Sequence, residues 1–267
     1  MPEPLPAEYQ AALRQSAARR GTFGSTIHYA SEIGSTNDEA ARLAEGGAAE
    51  GTTVVASAQT SGRGRLGRTW FSPPGAGLYV SVICRSPKVV PYLTLAGGVA
   101  VAEGIRAATG LPVEIKWPND VVVGGGPTRA RKLAGVLAEA SSGSEGVQYV
   151  VLGFGINLRP AAYPSEIYDR ATSLEAELGR EADAPLVLAD SLCFLAEWIG
   201  AIERTGPAAL LDRWRALSPS AHGHRVQWES VTGAKEGRTA GLGDDGALLV
   251  SAAGQVERII SGTVRWL

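Results

Sequence analysis

The 267-residue chain carries 25 basic and 27 acidic side chains, which gives a formal net charge of −2. A domain that binds nucleic acid is normally basic as a whole, so any chemistry with anions must be local to one site. The length suits one large core with a small second domain, and Cys84 and Cys193 each lie in an apolar run, which favours buried thiols in a reducing cytoplasm over disulfides or a cysteine-bound metal.

Residues 1–26 are predicted to form an N-terminal extension. They are polar and rich in alanine and arginine, with one weak helical stretch from Ala7 to Arg20 that is too short for a helix-turn-helix module. They lack the apolar segment of a signal peptide, and nowhere in the chain do about 18 apolar residues follow one another as a membrane helix requires. We therefore expect a soluble protein with no membrane partner.

The stretch GSTNDEAARLAEGG predicts a short helix. Thr36 followed three residues later by Glu39 is a capping-box pattern, the leucine and the alanines favour helix, and the glycine pair ends it. Ser35, Thr36 and Asn37 are then expected at the helix entrance. Taken alone, the Thr36 hydroxyl needs no role beyond capping the helix, and that alternative stays open.

A strand over Thr53 to Gln59 leads into SGRGRLGRTW, residues 61–70, which hold three glycines and three arginines. The glycines spell G-x-G-x-x-G, but a dinucleotide loop needs a helix at the last glycine, and the prolines of the following TWFSPPG forbid one. No kinase signature H-R-D or D-F-G follows. Forked guanidinium groups on a glycine-spaced backbone suit phosphate oxygens, and Trp70 suits stacking on a purine. Taken singly, the arginines fit solvated loop charges equally well, and Trp70 fits a core position.

The segment that follows predicts a sheet with covering helices. GLYVSVICR, RKLAGVLAEA and VQYVVLGFGINL have the pattern of strands, and PYLTLAGGVAVAEGIRAATG has that of a helix weakened by two glycines. VEIKWPNDVVV alternates and then turns at PND, so Lys116 projects from a strand end. Two further helices are expected, roughly from Pro185 to Thr205 and from Pro207 to Leu217.

From His224 onward the pattern changes to short strands separated by glycine-containing turns. Such spacing is typical of a small all-β barrel. We therefore place a domain boundary near residue 220.

Five motifs occur in one order: GSTN at 34–37, GRGRLGRTWFSP at 62–73, KWPND at 116–120, RKLAGVL at 131–137 and GFGINL at 153–158. In this order and spacing they closely resemble biotin protein ligases, from about Gly34 to the end of the chain. The resemblance implies an α/β (α+β) fold, with a mixed-sheet core like that of class II aminoacyl-tRNA synthetases at 27–219 and a small Src-homology-3-like β-barrel at 220–267. Some members carry an N-terminal DNA-binding domain; we expect none here and no DNA partner.

The resemblance also implies the reaction. A member of this family uses ATP to activate biotin to biotinyl-5'-AMP and then transfers biotin to a specific lysine of a biotin carboxyl carrier protein or domain of a biotin-dependent carboxylase. The expected co-substrates are ATP with Mg²⁺ and biotin, and no tightly bound prosthetic group is expected. A weak homodimer is left open.

The family's functional residues carry over to matching positions. The biotin-binding residues are expected to be Ser35, Thr36, Asn37, Gln59, Arg63, Gly64, Arg65 and Lys132. The nucleotide-binding residues are Arg65, Arg68, Trp70, Lys116, Asn119 and Asn157, with Asp120 as the magnesium ligand. Lys116, Arg63 and Lys132 are the expected catalytic residues, because a carboxylate must approach a polyanionic triphosphate. No histidine lies in the motifs, so positioning and charge stabilisation should carry most of the rate.

One residue departs from the family pattern, and two other functions stay open. Leu66 stands where many members have a fourth basic residue, so we expect a weaker hold on the adenylate. Since the remaining arginines repel one another, residues 61–70 are expected to be disordered without ligand and ordered by biotin or the adenylate. Lipoate or octanoate ligases share the general fold, but KWPND and GRGRLGRTW favour biotin. A non-catalytic nucleic-acid module fits the arginines but not the net charge.

Overall fold

A seven-stranded mixed sheet lies at the centre of the computed structural model, which describes residues 3–143, 146–161, 163–230 and 233–267. Its strands are β1 (Ile27–Ala30), β2 (Thr53–Ala56), β3 (Gly77–Cys84), β4 (Glu114–Lys116), β5 (Asp120–Val123), β6 (Arg131–Gly143) and β7 (Gly146–Asn157). Their order across the sheet is β1-β2-β3-β7-β6-β5-β4. The pair β1–β2 is parallel and the other neighbours are antiparallel, so the predicted mixed α/β fold is confirmed.

Eight helices connect or cover the described strands. They are α1 (Ala7–Gln15), α2 (Ala17–Arg20), α3 (Thr36–Glu45), α4 (Leu93–Thr109), α5 (Gly126–Arg129), α6 (Leu174–Leu178), α7 (Ala184–Thr205) and α8 (Ala208–Leu217). Short 3-10 turns lie at Arg65–Gly67, Val90–Tyr92, Tyr168–Arg170 and Pro219–Ala221. The two long helices predicted in the second half are present within a residue or two of the expected bounds.

The two faces of the first sheet have different coverings. Leu152 and Val136, on β7 and β6, pack against Gly97 of α4, while α3 packs on β2, β3 and β7 on the other side. Next to α4 lies α7, and a Cβ on Gly104 of α4 would stand 2.6 Å from the backbone nitrogen of Ser191 in α7. Only glycine permits so close an approach of the two helices.

The helix α7 is long and apolar enough, by length and composition, to cross a membrane. It contains no uninterrupted run of 18 apolar residues, because Asp190, Glu197 and Glu203 lie within it. Half of its most apolar 18-residue stretch is buried inside the protein, where the helix packs against α4, α1 and α2. A helix enclosed by other elements is apolar on most sides for that reason alone.

The C-terminal segment forms a second, five-stranded antiparallel sheet. Its strands are β8 (His222–Ser230), β9 (Gly233–Leu242), β10 (Leu248–Ala252), β11 (Gln255–Ile259) and β12 (Val264–Trp266), in the order β11-β10-β9-β8-β12. The predicted change to short strands is confirmed. Within the described ranges no pairing joins β11 to β12, so closure into a barrel stays a prediction.

The predicted division into 1–26, 27–219 and 220–267 also stays a prediction, and residues 1 and 2 lie outside the described residues. Leu13 and Phe23 of the first segment belong to the same hydrophobic core as α7 and the first sheet. The buried Arg20 donates hydrogen bonds to the carbonyl oxygens of Leu13 and Phe23. The N-terminal helices are therefore packed as part of the core.

The helix α3 begins without the predicted capping box. Its N-cap is Ser35, no side chain of the helix start accepts a capping hydrogen bond, and Glu39 pairs with Arg42. Gln59 Oε1 instead accepts from the Thr36 backbone N–H at 2.9 Å. The strand predicted to reach Gln59 ends at Ala56, and the Gln59 side chain, three residues further on, replaces the local cap. The capping-box interpretation of Thr36 was therefore wrong.

Candidate active site

A cleft opens on the face of the first sheet over β6 and β7, between the start of α3 and the arginine loop, defined as residues 61–70. Its cavity volume is about 50 Å³. Ten of the predicted site residues line it: Ser35, Thr36, Asn37, Gln59, Arg63, Gly64, Arg65, Trp70, Asn119 and Lys132. The other four predicted residues, Arg68, Lys116, Asp120 and Asn157, lie outside its lining.

Two glycines that face each other across β6 and β7 form the floor of the cleft. Gly135 pairs with Gly155 in the antiparallel register. A Cβ on Gly155 would stand 2.4 Å from Trp70 Nε1, and a Cβ on Gly135 would stand 2.9 Å from Trp70 Cζ3. The indole therefore lies against bare backbone. Lys132 Nζ is 4.9 Å from the centre of the Trp70 ring system, close enough for a cation–π contact.

Hydroxyl and amide groups converge where α3 begins. The Thr36 hydroxyl donates to Gln59 Oε1 at 3.1 Å, and Ser81 Oγ in β3 lies 2.8 Å from Thr36 Oγ1 and 2.5 Å from Asn37 Oδ1. Thr36, Asn37 and Ser81 are buried, so this corner suits a neutral, polar ligand group. Sequence reasoning missed Ser81; the available signal was a serine in the middle of the apolar run GLYVSVICR.

Two carboxylates hold Arg63 at one side of the cleft. Its Nη2 lies 2.8 Å from Asp38 Oδ1 and 2.8 Å from Glu139 Oε2. Asn37 Nδ2 donates to the same oxygen of Glu139 at 2.5 Å. Glu139 thus joins the arginine loop to the start of α3. Sequence reasoning missed this residue because 76 positions separate it from Arg63.

The other two arginines of the loop point to different partners. Arg65 Nη1 donates to Asn119 Oδ1 at 3.3 Å, and Asn119 Nδ2 in turn donates to the Val136 carbonyl at 2.7 Å. Burial lowers the pKa of Arg65, which remains a cation at any physiological pH. The exposed Arg68 reaches Thr263 Oγ1 of the second sheet at 3.4 Å. Only Arg65 of these two lies in the cleft.

The loop itself is folded as a short hairpin. Arg63 and Thr69 form a bridge, Gly64 N donates to the Arg68 carbonyl at 2.7 Å, and Trp70 N donates to the Gly62 carbonyl at 2.9 Å. Leu66 at its tip has a left-handed φ of 58° and is 66% exposed. The expected change from disorder to order on binding stays a prediction.

An ion pair lies at the end of the cleft where β5 and β6 meet. Lys132 Nζ is 2.6 Å from Asp120 Oδ1. Asp120 also stands directly opposite Lys116 in the β4–β5 register. The predicted metal ligand is therefore already engaged with a predicted catalytic lysine.

The side chain of Lys116 lies between the two sheets. Its Nζ is 4.6 Å from the centre of the Trp266 ring system in β12. Burial lowers the pKa of Lys116 below its ordinary value; Asp120 opposes this shift and Arg170 adds to it. Burial thus disfavours the charged form of this amine relative to an exposed lysine.

Asn157 lies at the end of β7, where its Nδ2 donates to the Thr172 carbonyl at 2.8 Å. Its side chain is buried by this contact. In the described part of the chain no group of three or more His, Cys, Asp or Glu side chains is placed to hold a metal ion.

Comparison with known proteins relates this geometry to a reaction. Residues 30–157 match the model of the Biotin/lipoate A/B protein ligase family. The chain is 34% identical over 249 residues to the bifunctional ligase/repressor BirA of Bacillus subtilis, covering 91% of this chain and 74% of that protein. It is 32% identical over 266 residues to the biotin--[acetyl-CoA-carboxylase] ligase of Mycobacterium tuberculosis, covering 94% and 93% of the two chains.

A solved structure has the same architecture. The biotin protein ligase of Aquifex aeolicus in complex with biotin and ATP superposes with a TM-score of 0.79 at 30% identity. The match covers 91% of this chain and all of that one. The likeness extends across both sheets and is accompanied by substantial sequence identity.

Proposed function

The chain belongs to the biotin protein ligase family and joins biotin to protein with consumption of ATP; from this premise we propose that the cleft over β6 and β7 carries out both steps of the reaction. In the first step a biotin carboxylate oxygen attacks the α-phosphorus of ATP and pyrophosphate leaves. In the second, a lysine amine of the carrier protein attacks the carbonyl carbon of biotinyl-5'-AMP, an amide bond forms and AMP leaves. The observation that carries the proposal is the convergence of ten predicted residues on one cleft.

The polar corner at the start of α3 binds the uncharged ring end of biotin. Thr36 and Gln59 present a hydroxyl and an amide side by side, and the buried Asn37 and Ser81 complete the set. A ureido group carries both donors and acceptors, which these side chains can satisfy without adding charge. Ser35, at the helix N-cap, lies in the same corner.

Cations at the opposite end neutralise the two reacting anions. Lys132 reaches into the cleft beside Trp70, and Arg65 enters from the loop. A fixed positive charge where a carboxylate meets a phosphate stabilises the transition state of adenylate formation more than it stabilises the separated anions. It therefore lowers the activation free energy. The proposed role of Lys116, which lies outside the lining, is to approach the phosphates from the second sheet once the nucleotide is present. Arg68, Asn119 and Asn157 complete the proposed nucleotide contacts.

Magnesium would enter this site with the triphosphate. Mg²⁺ keeps several waters and is commonly held by one or two carboxylates together with substrate phosphates. Asp120 supplies one carboxylate, which fits a shared metal and not a cage built from protein alone. The metal when bound would shield phosphate charge. The role of Lys132 in this proposal is to face the biotin carboxylate.

Finer features belong to the same proposal. The first sheet would be a core of the class II aminoacyl-tRNA synthetase type and the second a Src-homology-3-like barrel. The acceptor is a carboxylase carrier protein, in line with the names of the relatives. A protein of net charge −2 would work in the cytoplasm without DNA or a membrane as partner, as a monomer or weak homodimer. A salt titration tests the absence of a DNA partner, since contacts with DNA phosphates make the affinity fall steeply as the salt concentration rises.

Mass spectrometry of the protein incubated with biotin, ATP and Mg²⁺ tests the proposal, with lipoate as competitor. We expect biotinyl-adenylate, and a mass increase on an added carrier domain. Lys132→Ala should reduce adenylate formation about 100-fold, since a single charged group at such a position is worth that much. Lys235→Ala is the matched control, because that lysine pairs with Glu257 in the second sheet. Adenylate formed from lipoate in preference to biotin would overturn the substrate assignment.

A further inference from the structure

The last strand of the second sheet contacts the KWPND segment of the first. Trp266 of β12 faces Lys116, with the ammonium 4.6 Å from the ring centre. Next to Lys116, Trp117 Nε1 donates to the Gly246 carbonyl at 3.1 Å. Both contacts reach from one sheet to the other at the point where a predicted catalytic lysine leaves its strand.

The Trp266 ring is held rigidly. It is only 6% exposed, and its Nε1 donates to the Ser220 carbonyl at 3.0 Å. The backbone of Trp266 pairs with Val226 in β8, and the next residue, Leu267, donates its N–H to the Arg225 carbonyl at 3.0 Å. The ring is thus fixed by its own sheet, independently of the lysine it faces.

Lys116 is the last residue of β4, the edge strand of the first sheet. Its ammonium stands at the end of a four-carbon stem with several rotatable bonds. A fixed aromatic face within about 6 Å attracts the cation and favours a position of the ammonium in front of the ring.

We propose that Trp266 is a positioning residue for the ligase reaction: its ring holds the Lys116 ammonium at the place from which it reaches the reacting phosphate. The inference rests on the proposed function, in which Lys116 acts on that phosphate. With this role for Trp266, the second sheet contributes to catalysis, because it provides the aromatic ring that positions a lysine of the first sheet.

The negative face of the indole attracts the charged amine and favours one position of it. Removal of the ring should therefore lower kcat and leave the KM for biotin nearly unchanged, a split that loss of packing alone would not produce.

Steady-state pyrophosphate release, measured in the full chain with biotin, ATP, Mg²⁺ and an added carrier domain, tests the proposal. Trp266→Leu should lower kcat about tenfold, within the range of a cation–π contact, and leave KM for biotin within twofold. Trp266→Phe keeps an aromatic face and should recover most of the lost kcat. Trp228→Leu is the matched control, since Trp228 is an equally buried indole in the neighbouring strand β8.

Equal losses of kcat in Trp266→Leu and Trp228→Leu, or a loss in Trp266→Leu that lies in KM and not in kcat, would overturn the inference. If Trp266→Leu does not fold, Trp266→Phe decides alone: phenylalanine attracts a cation less strongly than tryptophan, so a fall in kcat of about twofold is expected, and wild-type kcat counts against the proposal. Lys116→Ala distinguishes failure of the proposed role of Lys116 from failure of the role inferred for Trp266. Full turnover in that variant would remove the catalytic role of Lys116; a large loss there beside an unaffected Trp266→Leu would refute only the role of Trp266.

Discussion

Replacement of Gly155 by alanine places one methyl group under the Trp70 ring. The new Cβ would stand 2.4 Å from Trp70 Nε1 and 2.6 Å from Cε2, whereas ordinary contact begins at 3.4 Å. The backbone of Gly155 cannot retreat, because it is paired with Tyr79 of β3 on one side and with Gly135 of β6 on the other. The indole must therefore rise by about 1 Å into the cleft.

Gly155→Ala is expected to reduce both the stability of the protein and its activity. Forcing a methyl group into a filled site lowers the free energy of unfolding by about 1 to 3 kcal/mol. Since Trp70 lies beside Lys132 and lines the cleft, a displacement of this size should also reduce kcat/KM for biotin, by up to about 100-fold. Lys132 loses its neighbouring ring face in the same step.

Thermal unfolding and biotin-dependent pyrophosphate release measure the two losses separately. Gly98→Ala is the control: it adds the same methyl group inside α4, where the nearest atom would be Ile115 Cδ1 at 4.0 Å, and alanine in a helix interior should raise the free energy of unfolding by about 1 kcal/mol. If Gly155→Ala retained wild-type kcat/KM, the ring would not be part of the substrate site. If Gly98→Ala were as damaging as Gly155→Ala, the steric reasoning itself would be wrong.

Three further predictions concern charge and order. Burial lowers the pKa of Lys116. The ammonium should therefore be lost, and kcat should fall, at a pH lower than the pKa of a free lysine. In a pH–rate profile, Lys116→Arg should move this fall in kcat to higher pH. Glu139→Gln weakens the contact that holds Arg63 and should raise the Kd for biotin severalfold by calorimetry, whereas Glu39→Gln, which loses only a surface pair within α3, should not. Hydrogen exchange of residues 61–70 should slow when biotin and ATP are added, and equal protection with and without them would contradict ligand-induced ordering of the loop.

The sequence predicted which residues meet at the cleft better than it predicted the contacts that hold them there. Thr36, Gln59 and Lys132 were identified from the positions that they share with biotin protein ligases. Glu139 and Ser81 were missed because their importance arises only on folding, when strands distant in the chain become neighbours. The start of α3 illustrates the same limit: a local capping pattern was present in the sequence, but a distant Gln59 side chain took its place.

Strand alternation explains why the glycine motifs could be recognised and yet not fully interpreted. Along β7 the side chains of residues 152, 154 and 156 belong to the main hydrophobic core, whereas Gly153 and Gly155 lie against Asn37 and Trp70 of the cleft, as a period of two requires. The sequence displays that alternation in LGFGIN. Which residues meet the glycines depends on register, and the register places Ser81 opposite Gly153 and Tyr79 opposite Gly155. A shift of one residue would turn the bulky 152, 154 and 156 into the cleft and fill it, so the existence of the site depends on the register of β7 against β3 and β6 as much as on the residues that line it.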